Sequence, residues 1–265
     1  MSMRKYIDYM KIGIKEHLVY SSSVWANLLS KVIYLYMQFS LWNALFSSNP
    51  GRATGLNHDE TIRYIIVATI ISTFMECNVI AWINTEIQSG NIANQLIRPI
   101  DFRSMIFSKH LGTSLIKFLL YCIPLCVVTG FAYHSPVIAE GQLLFGLISV
   151  AAAYLIQFFY SLIIGLMAFW LIVTWPLNML LAAIYKLLSG SWIPVQMFPG
   201  LLKHINAFLP FRAIYAIPVT IITTPMEQES ILRNLLVQLI WLVILYLLTL
   251  VTWKVGKKKL IVQGG

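Results

Sequence analysis

The chain has 265 residues, of which 58% are hydrophobic and only 11% charged, with a mean hydropathy of +0.76. Soluble domains carry about 25% charged residues, so this composition excludes a soluble enzyme or binding module. Several apolar runs of about 20 residues predict an all-α polytopic membrane protein, not a β-barrel with weakly alternating ten-residue segments. The net charge of +9 fits cationic loops facing anionic lipid better than nucleic acid.

Residues 2–20 come first. Met3, Ile7, Met10, Ile14 and Leu18 recur at spacings of three and four, with Arg4, Asp8, Lys11, Lys15 and Glu16 largely between them. That pattern predicts an amphipathic helix lying in the membrane interface. The first span is expected at 23–46, with Asn27, Lys31, Tyr34 and Gln38 giving one polar face. A Gly/Asn/Ser-rich loop, 47–60, leads to a second span at 61–83 that contains Glu76 and Asn78.

Residues 84–103 form a polar segment with charges of both signs, Gly90 and the Arg98-Pro99 pair. A polar segment between two spans is where a membrane protein meets a soluble partner. The third span is expected at 104–133, kinked by Pro124. The fourth, 142–173, carries Ser149, Ala153, Gln157, Ser161 and Gly165 at four-residue intervals. Such a stripe suits close helix packing, the alternative being a substrate-lining role. The fifth span, 177–192, is barely long enough to cross. Residues 193–225 are apolar but broken by Pro194, Pro199, Pro210, Pro218 and Pro225. They cannot be one helix and predict two short re-entrant helices, 200–208 and 211–220. The sixth span is expected at 231–253, before a cationic tail.

Six spans place both termini on one side. With the N-terminus inside, eleven Lys and Arg lie in inner segments, among them Arg4, Arg98, Arg103, Lys109 and Lys257–Lys259, and five lie in outer ones. That bias predicts N-in, C-in.

Charges inside spans are costly unless paired or hydrated. Lys31 and Glu76 sit at a similar depth, roughly 10–12 Å from the cytoplasmic ends of consecutive spans. They are expected to form an ion pair in at least one transport state, the alternative being that Lys31 snorkels to the headgroups. Lys117 and Lys186 have no partner legible from spacing. The five histidines lie near span ends and read as interfacial, and the three cysteines read as packed thiols. No phosphate-binding loop, nucleophile elbow or paired-Cys motif occurs, so the chain reads as no enzyme.

The segment E-I-x-S-G-x-x-x-x-x-L-I-R-P (Glu86 to Pro99) and the outer S-G-x-W-I-P-x-x-x-F-P-G…L-P-F (Ser189 to Phe211), in this topology, resemble the permease subunit of ABC-2 type exporters. The likeness is to the branch with natural-product and antimicrobial efflux systems, and it covers essentially the whole chain as one domain, 1–265. It implies a bacterial cytoplasmic-membrane protein working with two ATPase subunits and a second permease, a related chain slightly favoured over a second copy. ATP and Mg²⁺ would sit on the partner, leaving this chain without a cofactor. It assigns Glu86, Gly90, Gln95, Leu96, Arg98 and Pro99 to a coupling helix. It assigns Pro194, Phe198, Pro199, Leu209, Pro210 and Phe211 to an outer gate.

A coupling helix exposing Ile87, Ile92, Leu96 and Ile97 would fill an apolar groove on the ATPase, with Arg98 and Arg103 reaching acidic rim groups. The expected function is ATP-driven export of an amphipathic substrate: a drug, a peptide or lipopeptide, or a lipid. The alternative is an ATP-independent channel or secondary carrier.

Overall fold

A computed structural model describes residues 3–19, 21–48, 55–76, 78–133, 137–171 and 175–263. Among them all regular structure is helical. Four helical runs are long and apolar enough to cross a bilayer: His58–Gln88, Phe102–Phe131, Leu143–Phe169 and Gln228–Lys259.

Helix α1 (Met3–Leu18) crosses the face of α6 (Phe102–Lys117). The crossing is made by Gly13 and Gly112. A methyl at Gly13 would overlap the Lys109 carbonyl, and one at Gly112 the Met10 carbonyl. Small residues are what let two helix backbones come this close. Helix α2 (Ser21–Ser48) has 28 residues, roughly 42 Å. It is long enough to cross but carries the polar face that includes Lys31.

Helix α3 (His58–Met75) starts with a reciprocal cap. Asn57 Oδ1 accepts from the Glu60 N–H at 2.8 Å, and Glu60 Oε2 accepts from the Asn57 N–H at 2.9 Å. That satisfies two otherwise orphaned donors. Most of α3 is buried, so it is the central post of the bundle.

The expected continuous second span, 61–83, is corrected here. It breaks at Glu76, whose ψ of 118° is extended, and resumes as α4 (Val79–Gln88). No Gly or Pro marks this break. Its reason lies elsewhere in the chain: Lys117 Nζ donates to the freed Glu76 carbonyl at 3.1 Å.

After α4, Gly90 turns the chain with φ +75°, a region open to glycine without penalty. The short α5 (Ile92–Ile97) follows, and Arg98 is extended before Pro99, as that position requires. Asp101 then caps α6 by accepting from the Ser104 N–H at 3.0 Å.

The third span is not a simple proline kink. α6 passes through a π-helical turn, Phe118–Cys122, into α7 (Ile123–Ala132). The wider turn places Pro124 in the first turn of α7, where its missing N–H is tolerated.

Helix α8 (Leu143–Leu166) ends in a 3-10 turn, Met167–Phe169. Helix α9 spans Trp175–Leu188. On the outer segment, α10 (Gly200–Ala207) matches the first expected helix. The second, 211–220, is instead two pieces, α11 (Phe211–Ile214) and α12 (Ala216–Thr223), divided at Tyr215. Helix α13 (Gln228–Gln263) has 36 residues and runs well past the expected end at residue 253.

The main core joins α3, α8, α11, α12 and α13 around Tyr64, Met75, Ala153, Ile214 and Ile221. A second core lies under α4 and α5, where Phe102 stacks on Trp253 at 4.8 Å and on Trp82 at 6.1 Å. The small-residue stripe of α8 is buried throughout. Ser149 donates to Gln238 of α13 at 2.8 Å, and Gly165 lies against Ile83 and Ile80 of α4. Packing therefore claims most of the stripe, while Gln157 and Ser161 also line a cavity.

Candidate functional sites

The polar segment is anchored from below. Ile92 is completely buried, and Ile87 and Leu96 pack half-buried on the same core. The expectation that Ile87, Ile92, Leu96 and Ile97 form one exposed face is therefore corrected. Only Ile97 stands out, at 81% exposed; the other three hold α5 to the bundle because the Trp82–Phe102–Trp253 stack offers them an apolar seat. Gln95 Nε2 donates to Glu86 Oε2 at 3.2 Å, bracing α5 against α4 across the Gly90 turn.

Arg103 turns inward to Asp101 at 3.3 Å. Burial pushes the Asp101 carboxyl up, but the Ser104 N–H and hydroxyl and the Arg103 charge outweigh it and hold its pKa below the usual value. Arg98 does something the sequence did not signal. Its Nη1 donates to the Tyr9 hydroxyl of α1 at 2.9 Å. Arg98, Ile97 and Pro99 are exposed together, so α1 and the α4–α5 segment present one joint surface.

Helix α1 is held further along its length. Lys109 Nζ lies 2.9 Å from Glu16 and 5.1 Å from the Trp82 ring centroid. His17 Nε2 is 3.1 Å from the Tyr121 hydroxyl. Burial, with the Lys117 charge adding and Glu76 opposing, holds the His17 imidazole below its ordinary pKa of 6.5. A depressed histidine favours the neutral ring in the docked state. Its contribution is complete above the unfolded value of about 6.5 and is lost as pH falls below it. Thermal unfolding of the chain should therefore shift to lower temperature on acidification from pH 8 to pH 5. A His17→Phe variant should lose that part of the pH dependence; an unchanged profile would show that His17 does not report α1 docking.

His110 does not sit in the interface as its sequence position suggested. It is 6% exposed and stacks between Tyr154 at 5.2 Å and Phe158 at 6.1 Å. Cys122 is buried, but Cys126 is exposed, not packed; Cys77 and His134 lie outside the described residues.

The second site lies within the helical bundle. A partly open cavity of about 410 Å³ is lined mainly by α2, α3, α8 and α9. At one end Lys31 Nζ stands 3.2 Å and Lys117 Nζ 3.5 Å from the same Glu76 carboxylate oxygen. The two positions expected to pair are thus adjacent, but a third charge joins them. Lys117 was visible as a cation inside a span; its partner was not, because contact depends on how the broken second span turns Glu76 toward α6.

Segment 193–225 contributes Tyr215 to the cavity lining. Pro199 and Pro210 precede the starts of α10 and α11 as their caps. Pro194 is buried, Phe198, Leu209 and Pro210 are half-buried, and Pro199 is exposed. Phe211 sets its ring edge-on to Tyr160 and Tyr185, at 5.6 and 6.1 Å. Tyr160, Tyr185 and Tyr215 all line the cavity, so Phe211 is the link from outer segment to cavity wall. Of the expected gate residues it alone makes these aromatic contacts among the described residues; the tyrosines gave no signal in sequence beyond their place in apolar runs.

No His, Cys, Asp or Glu cluster suited to a metal occurs among the described residues. No curated protein matches the chain. Over residues 32–264 it matches the family described as ABC-2 family transporter protein, and with its bundle of long apolar helices the chain belongs to that family of transmembrane permeases.

Proposed function

We propose that the chain is the permease subunit of an ATP-driven exporter in a bacterial cytoplasmic membrane, with six spans and both termini inside. In this reading α2 and α9 join the four long apolar runs as spans, and the substrate is an amphipathic drug, peptide, lipopeptide or lipid. Two ATPase subunits carry ATP and Mg²⁺. A second permease, a related chain in preference to a second copy, completes the pathway. ATP binding closes the ATPase dimer, the α4–α5 segment transmits that motion to the spans, and hydrolysis resets it.

The observation that supports this best is the Arg98–Tyr9 hydrogen bond. It makes α1 and the coupling segment a single platform on which Ile97 stands exposed beside a cation. Arg98 meets no carboxylate among the described residues, so its charge is available to an acidic rim on a partner. Arg98→Glu should reduce recovery of the ATPase subunit with the detergent-purified permease by at least about tenfold, the scale expected for reversing one interfacial charge. Full recovery with Arg98→Glu, or ATP-independent transport by the chain alone in liposomes, would overturn the reading.

A further inference from the structure

The bundle end that carries α5 also holds the start of α6 and the ends of α8 and α13, where Phe102, Leu166 and Trp253 share one core with Ile92. Beside that core a groove of about 220 Å³ runs between α6, α8 and α13. One end of it is charged: Arg103 and Asp101 stand there with side chains 26% and 39% exposed. Its walls are apolar, formed by Phe107 of α6, Leu155 and Phe159 of α8, and Tyr246 of α13. Phe159 meets the Tyr246 ring edge-on at 5.4 Å, and Tyr246 is left 45% exposed. Phe107 lies roughly 6 Å along α6 beyond Arg103, and Tyr246 roughly 10 Å along α13 before Trp253. The groove is therefore polar at the end of the bundle and apolar toward its middle, the axis on which a phospholipid is built.

The charged end is incompletely matched. A guanidinium carries several N–H donors in a fixed fork. Among the described residues Arg103 meets one acceptor, Asp101 Oδ1 at 3.3 Å from Nη2, and its Nε has none. Asp101 Oδ2 is committed to the Ser104 N–H at 3.0 Å and hydroxyl at 2.9 Å, so Oδ1 is the oxygen left to a ligand. The pair has no net charge. A simple anion would meet Asp101 and a simple cation Arg103, whereas a head group with both signs matches both.

We infer that this groove holds a zwitterionic phospholipid with a primary ammonium, of the phosphatidylethanolamine kind. Its phosphate accepts from Arg103, its ammonium donates to Asp101 Oδ1, and one acyl chain lies along Leu155, Phe159 and Tyr246. Charge-assisted contacts of this kind are the strong ones, and pockets between helices at a membrane surface hold lipid head groups. Asp101 caps α6 shortly after Arg98-Pro99, so the lipid secures the helix start against which α5 packs. The inference concerns a bound membrane lipid, not the transported molecule, and needs neither ATPase nor second permease.

The test uses the full chain, stripped of lipid in detergent, titrated with dioleoylphosphatidylethanolamine and followed by native mass spectrometry and thermal unfolding. The lipid should be retained saturably and raise the melting temperature. Dioleoylphosphatidylglycerol, an anion, should displace it only weakly, and glycerophosphoethanolamine, the head group without chains, should not displace it. Arg103→Gln should weaken retention at least about tenfold, the scale of a hydrogen bond to a charged group. Asp101→Asn keeps an oxygen for the α6 cap but removes the charge, and should let the glycerol lipid displace the ethanolamine lipid readily, a change that a merely structural role would not produce. Leu155→Trp fills the groove without changing charge; it should abolish retention, and it decides the matter if the Arg103→Gln chain does not fold. Displacement by glycerophosphoethanolamine, an unchanged lipid preference in Asp101→Asn, or wild-type retention in both Arg103→Gln and Leu155→Trp would overturn the assignment. Because no ATPase is present, failure here leaves Arg98-dependent ATPase recovery untouched.

Discussion

Replacing Glu76 by Gln is expected to abolish transport and to lower folded yield more than replacing either lysine beside it. The carboxylate neutralises two ammonium groups, Lys31 at 3.2 Å and Lys117 at 3.5 Å. The Lys117 side chain is only 5% exposed, against 20% for Lys31. Truncating one partner of a buried ion pair costs about 3–5 kcal/mol, mostly because the other charge stays buried. Glu76 itself is 52% exposed, which puts the effect at the lower end of that range. Lys31→Met should be the mildest of the three changes, since Lys117 still serves Glu76. The order expected is therefore Glu76→Gln, then Lys117→Met, then Lys31→Met, read as transport rate and as melting temperature.

Two double variants sharpen the test. A Lys31→Glu/Glu76→Lys exchange should not restore function, because the introduced ammonium would face Lys117. Adding Lys117→Gln to Glu76→Gln should recover part of the lost stability, since it removes the more deeply buried of the two ammonium groups that Glu76→Gln leaves uncompensated. If Glu76→Gln is no worse than Lys31→Met, and Lys117→Gln brings no relief, the three-residue cluster is not a coupled unit.

That cluster shows where sequence reading stops. Helix positions were legible because apolar runs and proline breaks are local: α1, α2 and α10 begin and end within a few residues of expectation, and α8 begins one residue from it but ends at Leu166, short of the expected 173. The break at Glu76 was not, because no local residue produces it; an ammonium 41 positions away takes the freed carbonyl. The same holds for α5. Its periodicity marks Ile92 and Ile97 equally as apolar, yet one is fully buried and the other 81% exposed. The difference is set by the aromatic stack beneath, built from Trp82, Phe102 and Trp253 on three separate elements. Cavity residues drawn from α2, α3, α8 and α9 share no motif, so only the fold brings them together.

The tightest such long-range contact carries the other large prediction. Gly112→Val should release α1 from α6 and uncouple the permease. The Gly112 site has no room for even one methyl, since it would overlap the Met10 carbonyl, and Gly13 meets the Lys109 carbonyl in the same way. Backbone atoms cannot rotate aside as a side chain can, so the helices must part. Overpacking of this kind costs about 1–3 kcal/mol, sometimes more. Parting them also stretches Thr113 Oγ1 from the Gly13 carbonyl, now 3.3 Å, Lys109 from Glu16, 2.9 Å, and His17 from Tyr121, 3.1 Å. Arg98 would lose Tyr9, and with it the joint platform proposed to meet the ATPase.

Because the two glycines occupy one crossing, their effects should not add. Once Gly13→Ala has separated the helices, Gly112→Ala should cost much less than it does alone. The measurements are hydrogen exchange of α1 amides, expected to rise sharply in Gly112→Val, and ATP hydrolysis by the assembled complex, expected to persist without transport. Wild-type protection of α1 together with wild-type transport in Gly112→Val would show that the helix is not fixed through this crossing.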